Sequence, residues 1–166
     1  MVLQEGINPG PSLVAFCIRN DNGDLVYATT QKIAYGNNLV AEDVAIKQGI
    51  EYCMDYQLHP LLVETDSLAM KMFIKGIWEV PWCISMILKD INRLRRGQIV
   101  EVEHIYKEGN CLTDFLANYV FYFAGTQQFT SFQELPSMTM RLLNIDKAQI
   151  LNLRIRYASD TIEYNS

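Results

Sequence analysis

Cysteine pairs, a basic leader and long apolar runs are all missing from this sequence of 166 residues. Its four cysteines include no Cys-x-x-Cys pair, which argues against structural zinc and predicts reduced, mostly buried thiols. The first residues do not combine basic side chains with an apolar run, and no apolar stretch reaches the length of a membrane span. We therefore expect an intracellular protein without membrane attachment, in either the nucleus or the cytoplasm.

A surplus of basic charge is also missing. Lysine and arginine together number 14, against 19 aspartate and glutamate residues, which gives a net charge of −5. This balance argues against a generally basic surface that wraps nucleic acid, but it permits a local basic patch beside an acidic site. With 49% hydrophobic and 20% charged residues, the composition is typical of a folded protein with one well-buried core.

The order of predicted elements is that of an α/β protein. The turn sequence Asn20-Asp21-Asn22-Gly23-Asp24 separates two β-like runs, which predicts a hairpin of residues 13–19 and 25–34. A buried strand at 61–67 lies between helices, and this arrangement indicates a parallel crossover. The other predicted elements are helices at 39–56, 67–75 and 83–96, a strand beginning at 99 and a helix ending near 124.

Glu42 is the first of three acids in positions that suggest chemistry. On the predicted helix, Asp43, Lys47 and Glu51 recur at intervals of four and are assigned to the solvent face. Glu42 instead begins an apolar stripe, where a carboxylate needs a partner or a metal.

Asp66 and Asp114 are the other two acids. Asp66 ends the predicted strand at 61–67, at the edge where α/β sheets bind ligands, and it can also cap the next helix. Asp114 lies in the first turn of the last helix, where a carboxylate also stabilises the helix start. Acids that converge from separate elements are what Mg²⁺ requires, and two such ions can activate water for phosphodiester hydrolysis.

A basic cluster lies near the end of the helix at 83–96. Trp78 and Trp82 precede this helix, so the cluster either contacts a phosphate backbone or is a solvated face that complements the helix dipole. Its members are Lys89, Arg93, Arg95 and Arg96.

At this point the chain resembles the type 1 ribonuclease H family, in the plant retroelement version associated with reverse transcriptases. The resemblance covers about residues 7–124 and includes His104 through Asp114. The other matching stretches are Asn8-Pro9-Gly10-Pro11, Arg19 to Gly23, Asn38 with Ala41-Glu42, Glu64-Thr65-Asp66-Ser67, and Ala117-Asn118. It implies an α/β fold with a mixed five-stranded sheet flanked by helices, and cleavage of the RNA strand of RNA–DNA hybrids.

The resemblance also implies roles for individual residues. The family holds two Mg²⁺ ions, for which Mn²⁺ is a substitute, with four carboxylates, and Glu42, Asp66 and Asp114 match the second, third and fourth. His104 matches a histidine that assists catalysis, although a structural histidine fits its strand-end position equally well. Asn38 matches an asparagine that contacts the hybrid, and Leu39 replaces a second one.

The first family carboxylate is absent. Counting back from Pro11 places Val2 and Leu3 at the positions of the family's Asp-Gly pair, and Glu5 lies too far along the chain to replace the aspartate. We therefore expect the first, central strand to be short or missing, so that either a stub fills its position or the chain begins inside a longer protein.

Two domains and three possible functions follow as expectations. Residues 1–124 are predicted to form the ribonuclease H-like domain, and 125–166 an apolar extension of unknown role. The chain is either a metal-dependent hybrid ribonuclease or a non-catalytic nucleic-acid-binding remnant of a retroelement, and a scaffold domain that uses the apolar tail is a third reading. It is expected to be monomeric or part of a larger polypeptide.

Overall fold

The computed structural model describes residues 10–106, 110–123, 125–147 and 155–157. Several sequence predictions lie outside these residues. They concern Val2, Leu3, Glu5, the Asn8-Pro9 pair, residues 107–109 of the motif before Asp114, and residues 148–150 of the tail.

The described chain alternates strands and helices, as predicted for an α/β protein. The strands are β1 (Gly10–Asn20), β2 (Leu25–Gly36), β3 (Leu61–Thr65), β4 (Val100–His104), β5 (Gln127–Phe129) and β6 (Ile155–Tyr157). The helices are α1 (Asn38–Asp55), α2 (Leu68–Ile74), α3 (Ser85–Leu94), α4 (Cys111–Tyr119) and α5 (Ser137–Lys147), with short 3-10 turns at Val120–Tyr122 and Phe132–Glu134. None of the helices among the described residues combines the length and apolar character needed to cross a membrane.

The β1–β2 hairpin forms where the turn sequence predicts it. Gly23 has a φ of 77°, which glycine adopts without strain, and the Asn20 side chain accepts a hydrogen bond from the Asp24 amide at 2.8 Å. The two strands pair antiparallel along most of their length. Local turn chemistry therefore favours this hairpin, whose register shifts once beside the turn, between Ile18 and Arg19.

The sheet has six strands among the described residues, rather than the five predicted, in the order β4-β3-β6-β1-β2-β5. Strand β6 lies between β1 and β3, at the position predicted to be short or missing. It runs parallel to β1 and antiparallel to β3. Without a strand there, β1 and β3 would lie two ladder spacings apart, roughly 10 Å, with unpaired backbone groups between them.

Helices cover both faces of the sheet, so the predicted α/β class with a mixed sheet is confirmed. Alternate residues of β1 point to opposite sides. Phe16 and Ile18 pack in a cluster with residues of α1, α2 and α3, whereas Ala15 and Cys17 pack with α4, Phe129 and Leu143. The segment after residue 124 thus contributes two strands and core side chains, while the domain boundary at 124 stays a prediction.

The predicted solvent face of α1 is wrong at Asp43, which is fully buried. At 100° per residue, Asp43 lies only about 20° from the buried Ile50 on the helical circumference. Lys47 on the same side of α1 forms an ion pair with Asp90 of α3 at 2.9 Å. Asp43 and Lys47 therefore mark the side of α1 that packs on α3, whereas the Glu51 side chain is 42% exposed, as predicted.

Candidate active site

Three carboxylates from three different elements line one cavity of about 270 Å³. Glu42 comes from the second turn of α1, Asp66 follows β3, and Asp114 lies in the first turn of α4. The three acids singled out in the sequence are therefore brought together at the carboxyl end of β3.

Glu42 is held in place by the start of α1. The Asn37 side chain caps this helix by accepting a hydrogen bond from the Val40 amide at 2.9 Å. Burial raises the pKa of the Glu42 carboxyl, a hydrogen bond with Ser67 lowers it, and repulsion by Asp66 and Asp114 raises it further. Repulsion of this kind is what a bound cation relieves.

Asp66 does not cap α2. The Ser67 side chain does so, because its oxygen accepts a hydrogen bond from the Met70 amide at 3.3 Å. The capping interpretation of Asp66 is therefore wrong, and its carboxylate faces the cavity beyond the end of β3. Asp114, in contrast, fits both interpretations. It lies in the first turn of α4, and it also lines the cavity.

His104 and Asn38 lie at the same end of the sheet. Asn38 is the first residue of α1 and lines the cavity. His104 is the last residue of β4 and lies opposite Thr65, the residue before Asp66. Its ring centroid is 6.0 Å from that of Tyr106, and it is absent from the cavity wall. His104 is therefore beside the carboxylates without sharing their cavity.

The basic cluster lies at the other end of the sheet. Arg95 donates hydrogen bonds to the carbonyl oxygens of Ile74 at 3.2 Å and Val100 at 3.3 Å, which ties the end of α3 to the start of β4. A strand of five residues is about 17 Å long, so this point is about one strand length from His104. Arg93 forms an ion pair with Asp90 at 3.0 Å, while Lys89 and Arg96 are exposed. Arg95 thus has a structural contact that sequence reasoning missed.

Sequence reasoning also missed Glu64, Asn110 and Thr113, which line the cavity with the predicted acids. Glu64 on β3 stands two positions before Asp66, which directly follows the strand, and side chains two apart in an extended segment share a face. That spacing is visible in the sequence and was a usable signal. Asn110 and Thr113 flank the start of α4 and gave no comparable pattern.

The donor chemistry of the cavity fits a hard divalent cation, because carboxylate oxygens are the ligands that Mg²⁺ prefers. The ligand atoms are of the right chemical type for the cation, but the side chains are not already arranged around one point. Within the described part of the chain, no group of three or more His, Cys, Asp or Glu side chains is close enough to hold a metal. Mg²⁺ usually keeps several waters and needs only one or two direct carboxylates, so an open arrangement of this kind suits it.

Solved structures with the same architecture are ribonucleases H. The chain is similar to RNase H1 from the halophilic archaeon Halobacterium salinarum NRC-1, with 21% identity and a TM-score of 0.59 over 71% of this chain and 91% of that one. It is also similar to LC11-RNase H1 in complex with an RNA/DNA hybrid, with 21% identity and a TM-score of 0.62 over 69% and 88%.

A third similar structure is the N-terminal RNase H domain of a Mycobacterium tuberculosis protein fused to maltose-binding protein. Identity is 21% and the TM-score is 0.64, over 71% of this chain and 87% of that one. These likenesses confirm the predicted ribonuclease H-like fold. No curated protein sequence matches the chain. The profile of the reverse transcriptase-like family matches residues 6–120, which is more than half of the sequence, and the chain belongs to this family.

Proposed function

We propose that this chain is a ribonuclease H-type domain that binds RNA–DNA hybrids and hydrolyses their RNA strand in a Mg²⁺-dependent reaction. The observation that carries the proposal is the meeting of Glu42, Asp66 and Asp114 around one cavity, where burial and then repulsion by the two aspartates raise the pKa of Glu42. The similarity to a ribonuclease H1 that was solved with an RNA/DNA hybrid supports this substrate.

The roles of the residues follow from their positions. Glu42 and Asp66 would hold Mg²⁺, with Asp114 as a third ligand, and Mn²⁺ would substitute for it. The bound cation would supply an activated water and stabilise the leaving oxygen. His104, opposite Thr65 on the neighbouring strand, would carry a proton to or from this end of the sheet.

Contacts with the hybrid are proposed for two regions. Asn38 in the cavity wall would position the strand that is cut. Exposed Lys89, Arg93 and Arg96 would contact phosphates about one strand length away, and the exposed Trp78 and Trp82 precede the same helix. The proposal leaves out Arg95, because its guanidinium is engaged with backbone carbonyls.

A second candidate function is hybrid binding without cleavage. The resemblance implies a carboxylate on the central strand of the sheet. The strand described at that position, β6, consists of Ile155, Arg156 and Tyr157, and the lack of an acid among them favours this second function. With fewer ligands, the metal position is less negatively charged and would bind Mg²⁺ more weakly. In this reading the chain is a retroelement remnant of plant type, intracellular, and monomeric or part of a larger polypeptide.

Cleavage of a labelled RNA–DNA hybrid separates the two functions. The protein is assayed in Mg²⁺ and then in Mn²⁺ beside Asp66→Asn, and Asp21→Asn serves as a control with the same change of charge on an exposed turn. We expect wild type and Asp21→Asn to cleave alike, and Asp66→Asn to lose at least about 100-fold in rate. Circular dichroism establishes that all three proteins are folded.

Fluorescence anisotropy with the same hybrid supplies the second measurement. A folded wild type that binds the hybrid without cleaving it supports the non-catalytic function. A folded wild type that neither binds nor cleaves it contradicts both.

A further inference from the structure

Two polar side chains of the carboxylate cavity lack a hydrogen-bond partner. Asn110 and Thr113 both line this cavity, and each residue is only 7% exposed. Their side-chain oxygens, Asn110 Oδ1 and Thr113 Oγ1, are buried and form no hydrogen bond with the described part of the chain. Most buried polar atoms in proteins are paired, because leaving one unpaired is unfavourable. Two such oxygens on one cavity wall therefore indicate a ligand that supplies the missing donors.

Asn110 forgoes a hydrogen bond that its position in the chain offers. It is the N-cap residue of α4, where an asparagine side chain usually accepts a hydrogen bond from a backbone amide of the first turn. The Asn110 side chain makes no such capping bond. Helix capping therefore does not account for the buried amide group at this position.

One face of α4 brings these oxygens together with a carboxylate. At 100° per residue, Asn110, Thr113, Asp114 and Ala117 fall within about 100° of the helical circumference. All four residues line the cavity. The two unpaired oxygens therefore face the same space as the Asp114 carboxylate.

The charge of the cavity determines which kind of donor it attracts. Four carboxylates line it, and none of the described residues in its wall is lysine or arginine. The local field therefore favours a cation. Asn110 Oδ1 can only accept a hydrogen bond, and the Thr113 hydroxyl can accept one as well as donate one. A hydrated cation meets both requirements, whereas a phosphate oxygen is negative and cannot donate.

We propose that Asn110 and Thr113 are positioning residues that accept hydrogen bonds from the water molecules of a hydrated Mg²⁺ ion. This inference rests on the Mg²⁺ dependence proposed above. Among the residues that the structure describes, no three acidic, histidine or cysteine side chains are close enough to hold a metal together, and Mg²⁺ usually keeps several waters. Such waters are donors, and partners that hold them in place orient the bound ion.

Nuclear magnetic resonance titration with two cations tests the proposal. One is Mg²⁺, and the other is hexaamminecobalt(III), a diamagnetic complex whose ammonia ligands do not exchange. This complex can bind only through its charge and the hydrogen bonds that its ligands donate. We expect both cations to shift the backbone amide signals of Asn110, Thr113 and Asp114, and each to compete with the other.

Variants of the two residues locate the contacts. Thr113→Val removes the hydroxyl with little change of shape and should weaken both cations about fivefold, whereas Thr113→Ser keeps a hydroxyl and should stay within about twofold. Asn110→Leu should weaken both cations about tenfold. Circular dichroism establishes that each variant is folded, and Thr113→Val alone decides the question if Asn110→Leu is not.

Thr139→Val is the matched control. Thr139 of α5 is fully buried, its hydroxyl has no partner in the described chain, and it is not among the described residues of the cavity wall. Its replacement makes the same chemical change as Thr113→Val and should leave both affinities within about twofold, because the site is elsewhere.

Several outcomes would overturn this proposal alone. They are wild-type cation affinities in the folded variants, an equal loss in Thr139→Val or Thr113→Ser, and binding of Mg²⁺ without binding of hexaamminecobalt(III). Weaker binding of the hybrid with unchanged cation affinities would also overturn it, since the two side chains would then contact a ribose 2′-hydroxyl. A folded wild type that binds neither cation would overturn the Mg²⁺-dependent function as well.

Discussion

Strand β1 has a different kind of neighbour on each side. On one side it pairs with β2 through a hairpin whose turn sequence is contiguous with both strands. On the other it pairs with β6, which comes from the opposite end of the described chain and matches only three residues of β1. The first neighbour is determined locally, whereas the second depends on the closing of a very long loop, whose entropic cost is higher than that of the hairpin. The two sides should therefore respond very differently to substitution.

The largest expected effect on stability comes from disrupting the pairing of β6 with its neighbours. Arg156→Pro removes a backbone donor in the middle of a strand that is paired on both sides, and should abolish cooperative unfolding or lower the melting temperature by about 10 °C or more. Arg156→Ala keeps that donor and should cost much less. Calorimetry of both variants checks this, and equal melting temperatures would show that β6 contributes little to the sheet.

A smaller effect on stability is expected from the substitution of Asp43, a residue of α1, the helix that packs over β1 and α3. Burial raises the pKa of Asp43 from 3.8 to about 7, although the positive charge of Lys47 lowers it. The folded chain then keeps a proton that the unfolded chain releases, so the free energy of unfolding should fall as the pH rises from about 4 to about 7. Asp43→Asn removes the charge and should raise the melting temperature at pH 8 by about 5 °C.

The same pair of proteins provides the control for this prediction. At pH 4 the side chain at position 43 is neutral in both folded proteins, so their melting temperatures should nearly coincide. A difference between them that is independent of pH would contradict the assigned cause, because it would reflect packing and not ionisation.

The smallest effect is expected on the β2 side. Gly23→Ala places a side chain at a φ of 77°, where the new Cβ would also lie 3.3 Å from the Lys147 side chain of α5. The expected cost is about 1–2 kcal/mol. Gly76→Ala has a similar φ of 69° with nothing within 4 Å, so its cost isolates the backbone contribution. Urea unfolding measures both, and a Gly23→Ala protein more stable than Gly76→Ala would contradict the close contact with Lys147.

The hairpin and the three acids could be predicted because their signals are local. A turn sequence, an apolar stripe beginning at Glu42 and an acid at the end of a buried strand each occupy a few consecutive residues. The prediction for Asp43 was wrong because its signal was also local. A pattern of alternating charge along α1 does not reveal that α3 packs against this side of the helix. Whether Asp66 or Ser67 caps α2 depends on the residue at which the helix begins. The periodicity of the sequence does not fix a helix start to within one residue.

Strand β6 could not be predicted, because three residues carry no useful period and their partners lie far away in the sequence. The stacking of Tyr27 on Tyr52 was missed on similar grounds. The two residues come from β2 and α1, and their spacing in the sequence has no meaning until these elements are packed together. Sequence reasoning therefore located the candidate active site but not the features made by distant segments.

The position of β6 also has a consequence for how the protein is made. During synthesis the hairpin, α1 and β3 leave the ribosome long before Ile155 does, yet β1 and β3 meet only through the strand that begins there. Until Ile155 emerges, the nascent chain carries an unpaired edge on β1 and another on β3, and such edges invite pairing with other chains. The described sheet closes only after β6 has emerged, so the need for a chaperone is greatest between the synthesis of β3 and that of β6.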